Sequence, residues 1–246
     1  MRLSIIIPTL NEAEAIGVLL ADLAPLRAVG AELILVDGGS RDATLARARG
    51  TVDQILHAPR GRAAQMNAGA QAAAGDLLWF LHADTRVPAE AISALRAAWA
   101  DAVGQSLGDR NHGRREGFWG RFDIRLSGRH PLLRLVERGM NARSRLTGIA
   151  TGDQGLFASR VAFDRVGGFP PLALMEDIAL SAALRRLARP VCLRARLLAS
   201  SRRWEQGGVL RTILLMWRLR LAYALGADPV QLAGHYEGRN RPRGDR

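Results

Sequence analysis

Acidic and polar side chains stand directly after short apolar runs at three places in the first part of the 246-residue chain. Pro8-Thr9-Leu10-Asn11-Glu12 follows one run, Asp37-Gly38-Gly39-Ser40 the next, and His82-Ala83-Asp84-Thr85 a later one. A carboxylate held rigidly at a strand end, such as Asp84, can bind Mg²⁺ or Mn²⁺ together with phosphate oxygens. Asp37 precedes two glycines that let a ligand approach the backbone, so it suits ribose hydroxyls or a base N–H. Capping of the following turn or helix explains either acid as well.

A second group of candidates lies late in the chain. Glu176 and Asp177 open a predicted helix, whose dipole stabilises each acid by roughly 0.3 to 1 kcal/mol and lowers its pKa, as suits a base that is ionised at pH 7. Arg202-Arg203-Trp204 offers guanidinium groups for phosphate and a ring that can stack on a sugar. Stability of the helix start, and packing of Trp204 against Trp217, are the structural alternatives.

Repeated strand-helix units must position the first group. Continuous apolar runs predict strands that are covered on both faces, hence a parallel sheet with right-handed crossovers whose carboxyl ends bring the polar clusters into one crevice. The predicted strands are 3–7, 33–36, 55–56 and 77–81, and the predicted helices are 12–28, 41–49, 61–74 and 88–100.

The second half of the chain has a weaker pattern. It predicts a strand at 118–126, a helix at 131–146, turns at 151–155 and 167–171, and a helix at 175–187 with Leu180, Leu184 and Leu187 on one face. Residues 209–225 form an amphipathic helix that either covers the core or lies on a bilayer surface. Leu210, Ile213, Leu214, Trp217, Leu221 and Leu225 share one side of it, and arginines lie elsewhere.

Composition excludes several classes of protein. With 48% hydrophobic and 24% charged residues, the chain has the composition of a globular protein rather than a disordered, collagenous or coiled-coil one. Its single cysteine, Cys192, cannot form an internal disulfide and favours a reducing cytosol. The apolar run 3–7 is too short for a signal peptide, and three arginines interrupt 209–225, so we expect no membrane span and a cytoplasmic location.

The net charge of +12 is concentrated in two segments. Residues 110–147 carry 10 arginines and 3 acids, and residues 189–246 carry 12 arginines and 4 acids. Such segments can bind anionic lipid head groups at the inner membrane face or a phosphorylated acceptor, or can simply be a solvated surface. Nucleic acid is not an expected partner, because aromatic residues are only 5% and no nucleic-acid-binding motif occurs.

Taken together, seven motifs resemble those of family 2 glycosyltransferases, which have the GT-A fold. They are IIPTLNE at 6–12, VDGGSRDAT at 36–44, GRAAQMNAGA at 61–70, FLHADT at 80–85, TGDQGLF at 151–157, GGFPPLALMEDIALS at 167–181 and SRRW at 201–204. Three of them, FLHADT, TGDQGLF and LMEDI, are most similar to the bacterial subfamily labelled arsenosugar-biosynthesis or radical-SAM/selenodomain-associated glycosyltransferases. The implied fold class is α/β: a mainly parallel central sheet with helices on both faces, plus C-terminal amphipathic helices.

The resemblance implies a pocket for a nucleotide-diphospho-sugar and a metal ion. Asp84 matches the metal-binding acid of the family's DxD motif, and would bind Mn²⁺ or Mg²⁺ that bridges the donor diphosphate. His82 departs from the family, because it stands where the first Asp of that motif is usual. The implied nucleotide-sugar residues are Pro8, Thr9, Asn11, Glu12, Asp37, Gly38, Arg62, Asn67, His82 and Asp84.

The resemblance also assigns the chemistry of transfer. Asp177, beside Glu176, matches the general base of an inverting reaction with an acceptor hydroxyl. The implied acceptor-binding residues are Gly152, Asp153, Gln154, Arg203 and Trp204. Ser200 stands where processive relatives carry the Gln of QxxRW, which disfavours a polymerase. The acceptor is either a small molecule or lipid-linked.

The predicted organisation is a catalytic domain at 1–188 and a basic helical extension at 189–246. Within the domain, 1–103 would bind the nucleotide sugar, 104–117 would be a mobile glycine-rich loop or lid, and 118–188 would face the acceptor. Two other functions stay open. A nucleotidyltransferase has a similar sheet but normally carries a glycine-rich basic loop after the first strand, and a basic membrane- or nucleic-acid-binding module would lack catalysis.

Overall fold

The computed structural model describes residues 1–108 and 117–238. Its strands are β1 (Leu3–Thr9), β2 (Glu32–Asp37), β3 (Gln54–His57), β4 (Leu77–Phe80), β5 (Trp119–Leu126), β6 (Phe157–Ser159) and β7 (Val191–Ala199). Its helices are α1 (Ala13–Ala28), α2 (Thr44–Ala48), α3 (Arg62–Ala72), α4 (Ala89–Gly108), α5 (Pro131–Thr147), α6 (Arg160–Arg165), α7 (Glu176–Leu187), α8 (Arg202–Gly207), α9 (Val209–Ala224) and α10 (Pro229–Gly238). A 3₁₀ turn spans Gly152–Gln154.

All the described strands join one mainly parallel sheet in the order β3-β2-β1-β4-β6-β5-β7. The pairs β1 with β2, β1 with β4, β2 with β3 and β5 with β7 are parallel, while β6 is antiparallel to both β4 and β5. The predicted α/β class with a mainly parallel sheet is therefore confirmed, and β1 and β4 form the centre where chain connections leave in opposite directions. Such a position is where open α/β sheets bind ligands.

Apolar side chains on both faces of the central strands explain the layered core. Ile5 and Ile7 of β1 pack in the cluster that contains the buried leucines of α1, whereas Ile6 packs with Met66 of α3 and Leu180 of α7. Because both faces are covered, the strands show continuous apolar runs instead of alternation. This rigid sheet fixes the positions of the polar residues that follow β1, β2 and β4.

Several expectations from sequence differ from the structure. Residues 191–199 form the edge strand β7, so the segment 189–246 is not purely helical. Residues 104–108 continue α4, and the remainder of the proposed loop, 109–116, lies outside the described residues. Leu180 and Leu184 are buried as predicted, but Leu187, the last residue of α7, is 37% exposed.

The apolar side of α9 does not have the first of its two predicted roles, which was to cover the core. Leu210, Leu214, Trp217, Leu221 and Leu225 are exposed, so this side does not cover the core. Leu219, on the opposite side, packs against Met175 and Leu232. None of the helices within the described ranges is long and apolar enough to cross a membrane.

Candidate functional site

The loops after β1 and β2 are joined into one wall of a crevice. Thr9 and Asp37 are paired at the ends of their strands. The Asn11 amide N–H donates to Ser40 Oγ at 2.9 Å, and Asn11 Oδ1 accepts from the Arg41 amide at 2.8 Å. Asn11 has φ of 54°, in the left-handed region that asparagine tolerates better than most residues. The motif PTLNE therefore forms a fixed turn beside the second strand.

Asp37 is 2% exposed and its carboxylate is engaged in its own turn. The amides of Gly39 and Ser40 donate to it at 2.9 to 3.2 Å. Below this turn, the buried amide of Gln65 donates to the carbonyl oxygens of Thr9 and Val36 at 2.9 and 2.8 Å. Gln65 was not among the residues predicted from sequence, since a glutamine on an alanine-rich helix looks solvent-exposed.

A cluster of opposite charges lies at the end of β4. Asp84 is half-buried and close enough to Glu12 to raise the pKa of that carboxyl, although burial is the larger cause. Arg202 of α8 lies 3.5 Å from Glu12 Oε2 and offsets part of this shift. Glu12 Oε2 is buried and accepts no hydrogen bond from a described residue.

This cluster is compatible with a divalent cation held largely by its substrate. Among residues 1–108 and 117–238, no group of three or more His, Cys, Asp or Glu side chains is arranged to hold a metal ion. Mg²⁺ and Mn²⁺ bound with nucleotides commonly take one or two carboxylates and complete their shell with phosphate oxygens and water. Asp84 beside the unsatisfied oxygen of Glu12 fits that donor set.

His82 connects the end of β4 to the start of α7. Its Nδ1 lies 3.0 Å from Asp153 Oδ1, which fixes the ring, and the side chain is 12% exposed. A Cβ added at Gly152 would lie 2.6 Å from His82 Nε2, so only glycine lets the backbone approach the ring. The Gly152 amide donates to Asp177 Oδ2 at 2.7 Å, and Asp177 Oδ1 accepts from the Ile178 amide at 2.7 Å.

Glu176 is the buried partner of Asp177. It is 4% exposed, and burial together with the charge of Asp177 raises its pKa to about 7, while Arg62 and His82 act in the opposite direction. The expectation that the helix dipole lowers the pKa is thus wrong for Glu176, because desolvation outweighs it. Met175, just before this pair, has φ of 69°, a costly conformation that aims both acids into a small pocket beside His82 and Gly152.

Two predicted binding residues have structural partners instead. The Asn67 amide donates to the Phe169 carbonyl at 2.8 Å, and its Oδ1 accepts from the Phe169 amide at 2.9 Å, so it joins α3 to the loop before α7. Gln154 is fully buried, and its Oε1 accepts from the Thr151 amide at 3.1 Å, so it does not face the crevice. Full burial removes Gln154 from the acceptor surface, although its Nε2 has no hydrogen-bond partner among the described residues. Asn67 is only part-buried, so its role in closing the pocket stays a prediction.

At α8 the structure brings Arg202 to the crevice. Trp204 packs against the apolar cluster of Ile124, Leu126 and Val209, whereas Trp217 is exposed, so the alternative of a Trp204–Trp217 contact is wrong. The side chain of Arg203 lies outside what the structure describes. Arg62 begins α3 and is exposed, within electrostatic reach of Glu176.

Two residues that sequence analysis missed lie within electrostatic reach of Asp177. Arg143 of α5 and Arg220 of α9 are both desolvated by burial, and the charge of Asp177 acts on both. No signal in the sequence separates them from the many solvated arginines of the same segments. Their position is decided by how α5 and α9 pack.

An open α/β sheet with acids at the carboxyl ends of its central strands is the architecture of the GT-A class. The family profile described as Glycosyl transferase family 2 matches residues 4–166. The chain therefore belongs to family 2 of the glycosyltransferases. No curated protein sequence matches it.

Solved structures of low sequence identity share the fold. S. aureus TarS is 20% identical with a TM-score of 0.60 over 81% of this chain and 37% of that one, so the chain spans well under half of TarS. TarS 1–349 in complex with UDP is 21% identical with a TM-score of 0.61 over 81% of this chain and 60% of that one. Glucosyl-3-phosphoglycerate synthase from Mycobacterium tuberculosis, in complex with Mn²⁺, UDP and glucosyl-3-phosphoglycerate, is 21% identical with a TM-score of 0.54 over 80% of this chain and 70% of that one.

Proposed function

We propose that this chain is a metal-dependent, inverting glycosyltransferase that moves a hexosyl group from a nucleotide-diphospho-sugar to an acceptor hydroxyl. The observation that carries the proposal is the path of contacts across the crevice. Asp84 follows His82, the His82 ring lies against Gly152, and the Gly152 amide binds Asp177. This path supports a donor site at Asp84 and a base at Asp177 that are close enough to serve one reaction.

The roles of the donor-side residues follow from their positions. Pro8, Thr9, Asn11, Asp37 and Gly38 form the wall for the base and ribose, and Glu12 and Asp84 face the diphosphate. A divalent cation on Asp84 would stabilise the negative charge of the leaving nucleoside diphosphate. The UDP complex of TarS, and the complexes of glucosyl-3-phosphoglycerate synthase with UDP and Mn²⁺ or Mg²⁺, support a nucleoside diphosphate and a divalent ion as ligands.

Transfer is a single in-line displacement. Asp177 accepts the proton of the acceptor hydroxyl as its oxygen attacks the anomeric carbon. The bond from that carbon to the diphosphate oxygen breaks with its electron pair, the nucleoside diphosphate leaves, and the anomeric configuration inverts. Glu176 acts beside Asp177 through its charge and its interaction with Arg62, and Asp153 orients His82.

The organisation and subfamily are also proposals. Residues 1–103 serve the donor and 118–188 the acceptor, and the motifs FLHADT, TGDQGLF and LMEDI support the arsenosugar-associated subfamily. Membership of family 2 favours glycosyl transfer over the nucleotidyltransferase alternative. Release of pyrophosphate instead of a nucleoside diphosphate would reverse that choice.

We further propose that α9 contacts an anionic membrane surface on the cytoplasmic side. Its outer side exposes Leu214, Trp217 and Leu221, and the exposed Arg211 and Arg218 lie on the same helix. Apolar residues flanked by arginines suit the boundary between acyl chains and anionic head groups.

Calorimetric titration of the protein with UDP, GDP and CDP in the presence of Mn²⁺ tests the donor site. We expect one nucleotide to bind, and its affinity to fall about tenfold or more with EDTA or in Asp84→Ala. The reason is that the Asp84 carboxylate would hold the ion that neutralises the diphosphate charge. Asp101→Ala, an exposed acid of α4, is the control and should bind as the wild type does. Equal affinity with and without Mn²⁺ would contradict metal dependence.

A further inference from the structure

Arg143 and Arg220 are desolvated cations near Asp177, and neither forms an ion pair within 4 Å with an acid of the described residues. Nε and Nη2 of Arg143 are buried and form no hydrogen bond with any described residue. Leu219 of α9 shares an apolar cluster with Met175, two residues before Asp177. The adjacent Arg220 is close enough to Asp177 for that charge to act on it. Burial lowers the pKa of both guanidinium groups, to about 10 for Arg143, where the neighbouring charge of Arg220 adds to the effect.

Other arginines on or near α5 have structural roles, because each forms an ion pair with an acid. Arg121 and Arg145 both form ion pairs with Asp123, and Arg134 pairs with Glu137 at 2.8 Å. A desolvated cation without such a partner destabilises a fold, and a second cation nearby adds repulsion. The charge of Asp177 acts on both Arg143 and Arg220, and that of Asp153 acts on Arg220. Burial is nevertheless the largest influence on the pKa of each guanidinium group.

We propose that Arg143 and Arg220 bind an anionic group of the acceptor, a phosphate monoester or a carboxylate, and so hold the acceptor hydroxyl at Asp177. This inference rests on the proposed function and specifies its acceptor class. Two guanidinium groups close enough to repel each other suit an anion with several oxygens, because each can donate two parallel hydrogen bonds.

The donor diphosphate is not the expected occupant. It is assigned to the ends of β1 and β4, where Arg202 lies near Glu12. Arg143 and Arg220 come instead from α5 and α9, which contact each other, and the charge of Asp177 reaches both side chains. The anion can belong to a soluble acceptor or to a lipid-linked one, since α9 exposes apolar residues on its outer side.

The experiment uses the full chain saturated with Mn²⁺ and the nucleoside diphosphate that binds it, so that the donor site is filled. Glycerol 3-phosphate, glycerate and uncharged glycerol are titrated as soluble probes. Phosphatidylcholine vesicles that contain phosphatidic acid form the lipid arm, with phosphatidylglycerol vesicles as the control for surface charge. We expect an anionic probe to bind, glycerol not to bind, and Arg143→Gln or Arg220→Gln to weaken the anion about tenfold or more.

Arg138→Gln, an exposed arginine of α5, is the matched control and should leave anion binding unchanged. Binding of a soluble anion assigns a soluble acceptor, and preference for phosphatidic acid over phosphatidylglycerol that depends on Arg143 assigns a lipid phosphate. Equal anion affinity in wild type and both variants, or no anion binding, overturns the inference. Absence of nucleotide binding by the wild type would instead refute the proposed function.

A second measurement separates binding from support of the fold. Without ligand, Arg143→Gln should unfold at the same or a higher temperature than the wild type, because it removes a desolvated cation. A large drop in unfolding temperature would assign Arg143 a structural role and contradict the proposal.

Discussion

Adjacent carboxyl groups at the start of α7 differ in their surroundings. Asp177 accepts from two backbone amides and lies within electrostatic reach of two arginines, whereas Glu176 is buried beside it with a pKa of about 7. Two neighbouring acids with different environments can serve different roles in one site. This difference makes Asp177 the better proposed base, since Glu176 is partly protonated at neutral pH.

Asp177→Asn should lower kcat by about a hundredfold or more, because the amide cannot accept the acceptor proton. Nucleotide affinity should be kept, since the donor is bound by other residues. Steady-state kinetics and calorimetry on the same sample separate these effects. Glu14→Gln, in the first turn of α1, is the control, and full activity of Asp177→Asn would refute the base assignment.

Glu176→Gln should change the pH dependence of stability. The folded-state pKa of about 7 lies above the ordinary value of 4.5 for a glutamate. The folded wild type therefore binds more protons than the unfolded chain between these values and loses stability as pH rises through them. The variant should gain up to about 3 kcal/mol relative to wild type between pH 4.5 and pH 8. Chemical denaturation across this pH range measures the difference in the free energy of unfolding. If that free energy changes with pH equally in both proteins, the pKa of Glu176 is not raised.

At the scale of elements, close packing of α3 on the sheet sets the geometry beneath the site. A Cβ added at Gly69 would lie 2.4 Å from Ile6 Cγ2 and 3.0 Å from Val36 Cγ2. The short distance lets Gln65, one turn earlier, reach the carbonyl oxygens at the ends of β1 and β2. The turn that carries Asp37 therefore depends on the close helix packing that Gly69 allows.

Gly69→Ala should destabilise the protein by about 1 to 3 kcal/mol, because α3 must move away from β1. Gly17→Ala, at an exposed position of α1 with no atom within 4 Å of the added Cβ, should stabilise it by about 0.5 to 1 kcal/mol. Denaturant unfolding of both variants measures the contrast. Equal changes in the free energy of unfolding for the two variants would show that α3 can move away from β1 at no cost, and would contradict the prediction.

At the scale of the whole molecule, the C-terminal part has both an excess of arginines and exposed apolar side chains. Residues 189–246 carry 12 arginines and 4 acids, and Trp217 is 75% exposed on the outer side of α9. Because Leu219 packs on Met175 at the start of α7, a surface that contacts α9 lies close to the proposed acceptor side. Membrane contact and catalysis are thus compatible in one molecule.

Flotation with anionic vesicles should recover the wild-type protein, and Trp217→Ser should weaken binding about tenfold because a large apolar side chain no longer enters the interface. Leu146→Ser, which changes an exposed leucine of α5, is the control and should float as the wild type does. Lack of flotation at low salt with anionic lipid would remove the membrane proposal.

The sequence by itself determined the α/β class and the order of the early elements. Apolar runs covered on both faces and the polar residues that follow them are local features, so Asp37, Asp84 and the acids at 176–177 could be identified without coordinates. The motifs also indicated the family, which the match over residues 4–166 confirms.

Only the tertiary structure decided which side chains are available at the site. Asn67 bonds both backbone groups of Phe169 and Gln154 is fully buried, whereas Arg143 and Arg220 come near Asp177 from helices that meet only in the folded chain. The pKa of Glu176 likewise depends on burial by several elements. Periodicity and residue type report local preference, but desolvation and partner choice arise from segments that are distant in sequence, and no pattern within one segment contains them.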